Sequence, residues 1–178
     1  MPLRLPEPRL PRLTAVALCL AAPAAAEGPD DLVGRYGPAL DACYTAADTA
    51  DLLGCKGAVA DPCMAREDEG ETTVGMVACK LAEAQVWALR LDTEYRASME
   101  WAEAQDEAER ASFPEFANRA KALRDAQRAW IAFRDAECGL AYAVWGAGSM
   151  RLLAGADCRL EMTAARARDL RILREPEG

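Results

Sequence analysis

The chain has 178 residues, with 29 acidic and 21 basic side chains, no histidine and a formal net charge of −8 at pH 7. Phosphate contacts require a basic face, so a chain this acidic is expected to bind no nucleic acid. Its negative charge would either attract cationic partners from a distance or simply aid solubility. Without histidine or a C-x-x-C spacing it lacks the usual zinc ligands and the commonest general base, so we expect no metal, no cofactor and no enzymatic activity.

Residues 1–26 are typical of a cleavable export signal. Three arginines come first, an apolar run follows, and a triplet of small residues ends the segment. In order, these are Arg4, Arg9 and Arg12, then Leu13 to Ala22, then Ala24-Ala25-Ala26. The apolar run is too short to span a bilayer as a mature helix. We therefore expect a periplasmic or secreted protein, with one mature domain over 27–178 and no membrane attachment after cleavage.

The seven cysteines divide between the signal and the mature chain. Cys19 lies in the signal, and a bacterial lipid anchor at this residue is the alternative to cleavage. Such an anchor needs a small residue before the cysteine, where this chain has Leu18, so we favour cleavage. The other six are an even number, as in a fully paired secreted domain, and allow fifteen connectivities. Proximity in the sequence suggests the pairs Cys55–Cys63, Cys43–Cys79 and Cys138–Cys158.

The composition predicts an all-α fold. Alanine is abundant whereas valine and isoleucine are few, and no run of alternating apolar and polar residues is long enough for a strand. A first helix is predicted over about 29–50 and a loop over 52–72. The first helix has an apolar face that comprises Leu32, Tyr36, Leu40, Cys43 and Ala47.

A long second helix is predicted over about 73–109. Its apolar stripe comprises Val77, Leu81, Ala84, Ala88, Leu91 and Tyr95. The segment after Met99 is strongly charged and is expected to project into solvent.

A third helix is predicted from a cap at Ser112 to about Val144, and a fourth segment from a cap at Ser149 to Leu173, bent near Gly155. The stripe of the third helix comprises Leu123, Ala126, Trp130, Phe133, Glu137, Leu140 and Val144. Three or four amphipathic helices with short joins predict a small antiparallel bundle, here stapled by disulfides.

Charged residues stand beside the tryptophans of both long helices. Gln127 and Arg134 should lie near Trp130, with Glu137 on the same face, and Arg90 and Glu83 flank Trp87 in the same way. One interpretation makes the tryptophans core anchors and pairs the charges across helices. The other is a polar pocket or binding edge, in which Glu83 and Glu137 could act as a general-acid pair on a glycoside.

Two blocks of sequence resemble the LprI-like domain family, which is named for a mycobacterial lysozyme-inhibitor lipoprotein. The first block runs from Glu83 to Tyr95, and the second from Leu123 to Cys138. Further matching positions lie in the last helix. The matching residues include Glu83, Trp87, Leu91 and Tyr95, then Gln127, Trp130, Arg134 and Asp135, and finally Thr163 and Arg166.

This resemblance implies a small, exported, disulfide-bonded helical domain and suggests lysozyme inhibition. An acidic protein would complement a cationic lysozyme, so the acidic end of the second helix and the acidic loop are the expected contacts. The candidate residues of the loop are Asp61, Glu67, Asp68, Glu69 and Glu71. The alternatives are a structural or envelope-associated domain without lysozyme activity, and a glycan-active enzyme.

Overall fold

The computed structural model describes residues 29–175, so the expected signal peptide lies outside the described residues. Within these residues five α-helices follow one another, with one 3-10 helix before α2 and another before α4, and the predicted all-α class is confirmed. The α-helices are α1 (Pro29–Ala46), α2 (Ala60–Arg66), α3 (Thr73–Arg110), α4 (Arg119–Ala143) and α5 (Met150–Ile172), and the 3-10 helices are Thr49–Cys55 and Pro114–Phe116. Within 29–175, no helix is both long and apolar enough to cross a membrane.

The long helix α3 is the centre of the fold and packs most extensively against α5. Its fully buried Trp87 contacts the ring of Tyr44 on α1 edge-on, with centroids 5.7 Å apart. Leu40 and Leu170 bring α1 and α5 into the same core. A side chain at Gly37 would meet Val86 at 3.3 Å, so glycine at this position allows α1 to approach α3 closely.

Among the four long helices of residues 29–175, α4 alone runs antiparallel to its neighbours, since its contacts with α5 run from Gln127–Arg166 to Cys138–Cys158. From Asp41–Arg90 to Tyr44–Glu94, residue numbers rise together along α1 and α3, and from Lys80–Asp157 to Ser98–Leu170 they rise together along α3 and α5. The helices α1, α3 and α5 therefore run in the same direction. The antiparallel bundle that short joins predict is therefore wrong for these three helices. The reason is that other segments carry the chain back along the bundle: residues 47–72 do so between α1 and α3, and α4 does so between α3 and α5.

That returning segment is not the predicted loop. It contains the 3-10 helix Thr49–Cys55 and then α2. Leu52 and Val59 are fully buried, so the segment contributes to the core. Its glycines had indicated a loop, because glycine weakens helices in the absence of tertiary contacts.

Two of the three suggested disulfides are wrong. The structure pairs Cys43 with Cys55 and Cys63 with Cys79, with Cα separations of 5.8 and 5.6 Å, in place of Cys43–Cys79 and Cys55–Cys63. Cys55 ends the 3-10 helix beside α1, whereas Cys63 lies in α2 and faces α3. The suggested bond between Cys138 and Cys158 is present and joins α4 to α5.

The buried faces of α3 and α4 are rotated from the predicted stripes. On α3, Leu81 and Ala88 are exposed, and the buried stripe includes polar residues. On α4, Leu123 is buried and Trp130 half-buried, but the rest of the predicted stripe is exposed. Its exposed members are Ala126, Phe133, Glu137, Leu140 and Val144.

The predicted helix starts and the bend also need correction. α4 starts at Arg119 rather than at Ser112, and no side-chain cap bond forms at Ser149. α5 continues through Gly155 without a break.

The charged end of α3 does not simply project into solvent. Asp106 is buried and accepts hydrogen bonds from the amides of Arg119 and Ala120, at 2.9 and 3.0 Å. It thereby satisfies the first amides of α4, which have no partner inside the helix. Burial would by itself raise the pKa of Asp106, but these two bonds and the cation of Arg119 together outweigh it and lower the pKa.

Candidate functional site: the acidic segment and the arginine–tryptophan cluster

A buried glutamate of α3 holds the segment that carries the candidate acidic residues. The carboxylate of Glu83 is fully buried and accepts hydrogen bonds from the amides of Gly57, Val59 and Ala60, at 2.7, 3.1 and 2.7 Å. The indole of Trp87 donates a fourth bond over 3.3 Å. Four donors to one carboxylate offset the cost of burying its charge. Glu83 therefore fixes the start of α2 on α3.

The segment is then closed by a disulfide and a tight turn. The Cys63–Cys79 bond joins α2 to α3, and Thr72 caps α3 by accepting a hydrogen bond from the amide of Gly75 over 3.0 Å. Gly70 is buried, and a side chain there would lie 2.3 Å from the carbonyl oxygen of Met64. Only glycine fits this contact, so the turn between α2 and α3 has a fixed shape.

One of the five candidate carboxylates has a structural role. Glu67 accepts hydrogen bonds from the hydroxyl of Tyr36 and from the guanidinium of Arg35, both at 2.5 Å. The bond from Tyr36 lowers the pKa of Glu67, burial opposes this, and Arg35 reinforces it. The same bond, with burial, raises the pKa of Tyr36. Glu67 thus attaches the segment to α1.

The other four candidate carboxylates are exposed. Asp61 lies in the first turn of α2, and Asp68, Glu69 and Glu71 lie in the turn before α3. None of these four forms an ion pair with a basic side chain in the described part of the chain. We name Asp61, Asp68, Glu69 and Glu71, on this fixed backbone, the acidic segment.

The second group of candidate residues meets between α4 and α5. The guanidinium carbon of Arg134 lies 5.1 Å from the ring centroid of Trp130, and that of Arg166 lies 5.8 Å from it. Arg166 also donates from Nε to the side-chain oxygen of Gln127 over 3.0 Å. The prediction that Gln127 and Arg134 lie near Trp130 is borne out for Arg134, and Gln127 reaches the same cluster through Arg166.

The remaining motif residues support these two groups. Thr163 is buried on α5 and donates to the carbonyl of Arg159, whereas Asp135 is exposed and pairs with Arg134 at 2.7 Å. Leu91 is buried and Tyr95 is half-buried on α3. The motif positions therefore lie in the core and at helix contacts, and the structure does not bring them into one cleft.

The hypothetical carboxylate pair has no support in this geometry. Glu83 has no exposed surface, and all its partners are backbone amides or an indole, so it cannot reach a glycan. Glu137 is exposed on α4 and forms no ion pair with Arg134, which binds Asp135 instead. Within 29–175, no group of three or more cysteine, aspartate or glutamate side chains is placed to hold a metal ion.

A third polar group was not predicted from the sequence. Tyr44 on α1 donates to the carboxylate of Glu94 on α3 over 2.6 Å, and Glu94 pairs with Arg174, just after α5. Burial and the bond to Glu94 raise the pKa of Tyr44. Residues fifty and eighty positions apart form these bonds, so no local pattern could have indicated them.

These features define a class: a small all-α domain, held by three disulfides, with its polar motif residues in structural contacts. The family model described as "Lysozyme inhibitor LprI" matches residues 63–170. The chain belongs to this family, as its resemblance to the LprI-like domain suggested.

The chain is also similar to one curated protein, the "Uncharacterized protein R02472" of Rhizobium meliloti (strain 1021). The two are 40% identical over 60 residues, which is 34% of this chain and 43% of that protein. This chain thus matches less than half of the relative's length. No solved structure matches the chain.

Proposed function

We propose that this protein is exported, binds lysozyme through the acidic segment and inhibits it. Membership of the family described as lysozyme inhibitor LprI carries the proposal. Three disulfides suit an oxidising compartment outside the cytoplasm. The lysozyme in question is a cationic one, which negative charge would attract from a distance.

The acidic segment suits such a contact better than the acidic end of α3 does. Its backbone is fixed by Glu83, Gly70 and the Cys63–Cys79 bond, so little conformational entropy is lost on binding. At the end of α3, by contrast, Asp106 and Glu109 pair with Arg119, and Glu107 pairs with Arg110. Of the carboxylates after Met99 on this helix, only Glu100 and Glu103 form no ion pair within residues 29–175.

The test is a lytic assay with the oxidised mature chain, 27–178, against c-type and g-type lysozymes, paired with direct binding at two salt concentrations. We expect inhibition, with an affinity that falls as salt rises because exposed charges are screened. Absence of binding at high micromolar protein would overturn the proposal. The structural or envelope-associated alternative would then be tested by partner capture from an envelope extract.

A matched pair of triple variants locates the contact. Asp68→Asn, Glu69→Gln and Glu71→Gln remove three charges from the acidic segment, and we expect them to weaken binding by about tenfold or more. The control removes three charges elsewhere, from exposed residues that form no ion pair within 29–175: Glu100→Gln, Glu103→Gln and Glu115→Gln. A larger loss in the control would place the contact at the end of α3 instead.

A further inference from the structure

A groove of about 450 Å³ lies where the C-terminal halves of α3 and α5 meet the N-terminal half of α4. Its walls include Trp101 of α3, Leu123 of α4 and Leu170 of α5, and the small side chain of Ala126 leaves the space open. A concave, mainly apolar site of this size is typical of small-molecule binding.

Three charged side chains line the groove, and two of them already have partners of opposite charge. Arg119 pairs with Asp106 and Glu109. Asp169 pairs with Arg168 at 2.9 Å. The third is Arg166, which forms no ion pair with any carboxylate in the described part of the chain.

Arg166 is half-buried and held in one orientation. Its Nε donates to Gln127, and its guanidinium lies over the ring of Trp130. No other hydrogen bond from this guanidinium is made to residues 29–175, so its Nη groups are available. Burial lowers the pKa of Arg166, and the negative charge of Asp169 opposes this only in part. A desolvated cation without a bound anion is the group that a carboxylate ligand would satisfy best.

We propose that this groove binds a medium-chain aliphatic carboxylate. The ligand's carboxylate would contact the Nη groups of Arg166, and its aliphatic chain would lie against Trp101, Leu123 and Leu170. Charge complementarity to Arg166 and the apolar walls select this class of ligand over an uncharged alcohol or a small inorganic anion. The site uses none of the residues of the acidic segment, so it stands independently of lysozyme inhibition.

Calorimetric titration of the oxidised mature chain with decanoate and with decanol tests the proposal. We expect the protein to prefer decanoate by about tenfold or more, because a charge-assisted hydrogen bond is roughly twice as strong as a neutral one and the carboxylate can accept two. Arg166→Gln should remove that preference and leave decanol binding unchanged. The control is Arg134→Gln, which removes the arginine that contacts the same Trp130 but does not line the groove, and it should bind decanoate as the wild type does.

A second variant tests where the aliphatic chain of the ligand lies. Ala126 is exposed at the groove, so Ala126→Phe should fold and should weaken binding of both ligands by filling the space. Absence of decanoate binding below its micellar concentration, equal affinity for the two ligands, or an unchanged preference in Arg166→Gln would each overturn the proposal. If Arg166→Gln fails to fold, the wild-type preference and Ala126→Phe decide.

Discussion

The carboxylate of Glu83, in the first half of α3, accepts a hydrogen bond from the amide of Ala60, at the start of α2, over 2.7 Å. Two further amides and the indole of Trp87 complete its shell, and no part of the side chain is exposed. A titratable residue that looked like a catalytic candidate in the sequence therefore holds two helices together.

Replacing Glu83 with glutamine should destabilise the fold by about 2–4 kcal/mol. The amide NH₂ would face backbone N–H groups, which leaves buried donors without acceptors. Chemical denaturation with the disulfides intact measures the change. Glu137→Gln is the matched control on an exposed site and should stay within about 0.5 kcal/mol of the wild type. Equal effects in the two variants would contradict the structural role of Glu83.

The disulfide pairing predicts a specific set of tryptic peptides from the unreduced protein. Cys43 and Cys55 both lie in peptide 36–56, which should appear alone with an internal bond. Peptide 57–66, with Cys63, should be joined to peptide 67–80, with Cys79. Mass spectrometry before and after reduction checks this. The pairing suggested by proximity would instead join all three peptides, so a single species of that mass would refute the structure.

The contact between Tyr36 and Glu67 should stabilise the protein in a pH-dependent way. The pKa of Glu67 is lower in the folded state than its ordinary value of 4.5. Its contribution is therefore fully present above about pH 4.5 and is lost as the pH falls through the folded pKa. We expect the stability difference between the wild type and Glu67→Gln to shrink on acidification, as measured by denaturation at pH 3 to 7.

Tyr36→Phe provides the control, because it removes the donor and leaves the carboxylate. In the folded variant the pKa of Glu67 should be lowered much less than in the wild type. The stability of the variant should therefore fall less on acidification. At alkaline pH the dependence on pH runs the other way. Because the pKa of Tyr36 is raised, the stability that this hydroxyl contributes is lost only as the pH rises through the raised value. An identical acid profile in all three proteins would contradict the contact.

The sequence predicted the fold class and the long helices well, and α3 extends from Thr73 to Arg110 against a prediction of about 73–109. The sequence did not predict which face of α3 and of α4 is buried. Periodicity counts apolar residues, but the buried stripe of α3 contains Glu83, Glu94 and Ser98, each satisfied by partners far along the chain. The tertiary fold determines such partners. A stripe drawn through the apolar residues alone therefore lies on a different side of α3 from the face that is buried.

The candidate sites divide in the same way. The arginine beside Trp130 could be placed from helical spacing alone, whereas Arg166 reaches that ring from another helix and was named only through the family resemblance. The run of acidic residues in the sequence indicated the loop as a binding candidate. No local pattern showed that the hydroxyl of Tyr36 donates a hydrogen bond to Glu67. Proximity in the sequence predicted the wrong partners for Cys55 and Cys63. The secondary structure between them places Cys55 against α1 and Cys63 against α3.

The exposed stripe of α4 gives the last test of the buried faces. Phe133 and Leu140 are each 58% exposed, although both belong to the stripe that periodicity predicted to be buried. The double variant Phe133→Gln and Leu140→Gln should therefore change the free energy of unfolding by no more than about 1 kcal/mol, since surface substitutions are usually small. Leu160→Ala, at a residue 5% exposed on α5, should cost about 2–4 kcal/mol. Urea denaturation compares the two, and a double variant as unstable as Leu160→Ala would show that this face of α4 is covered in solution.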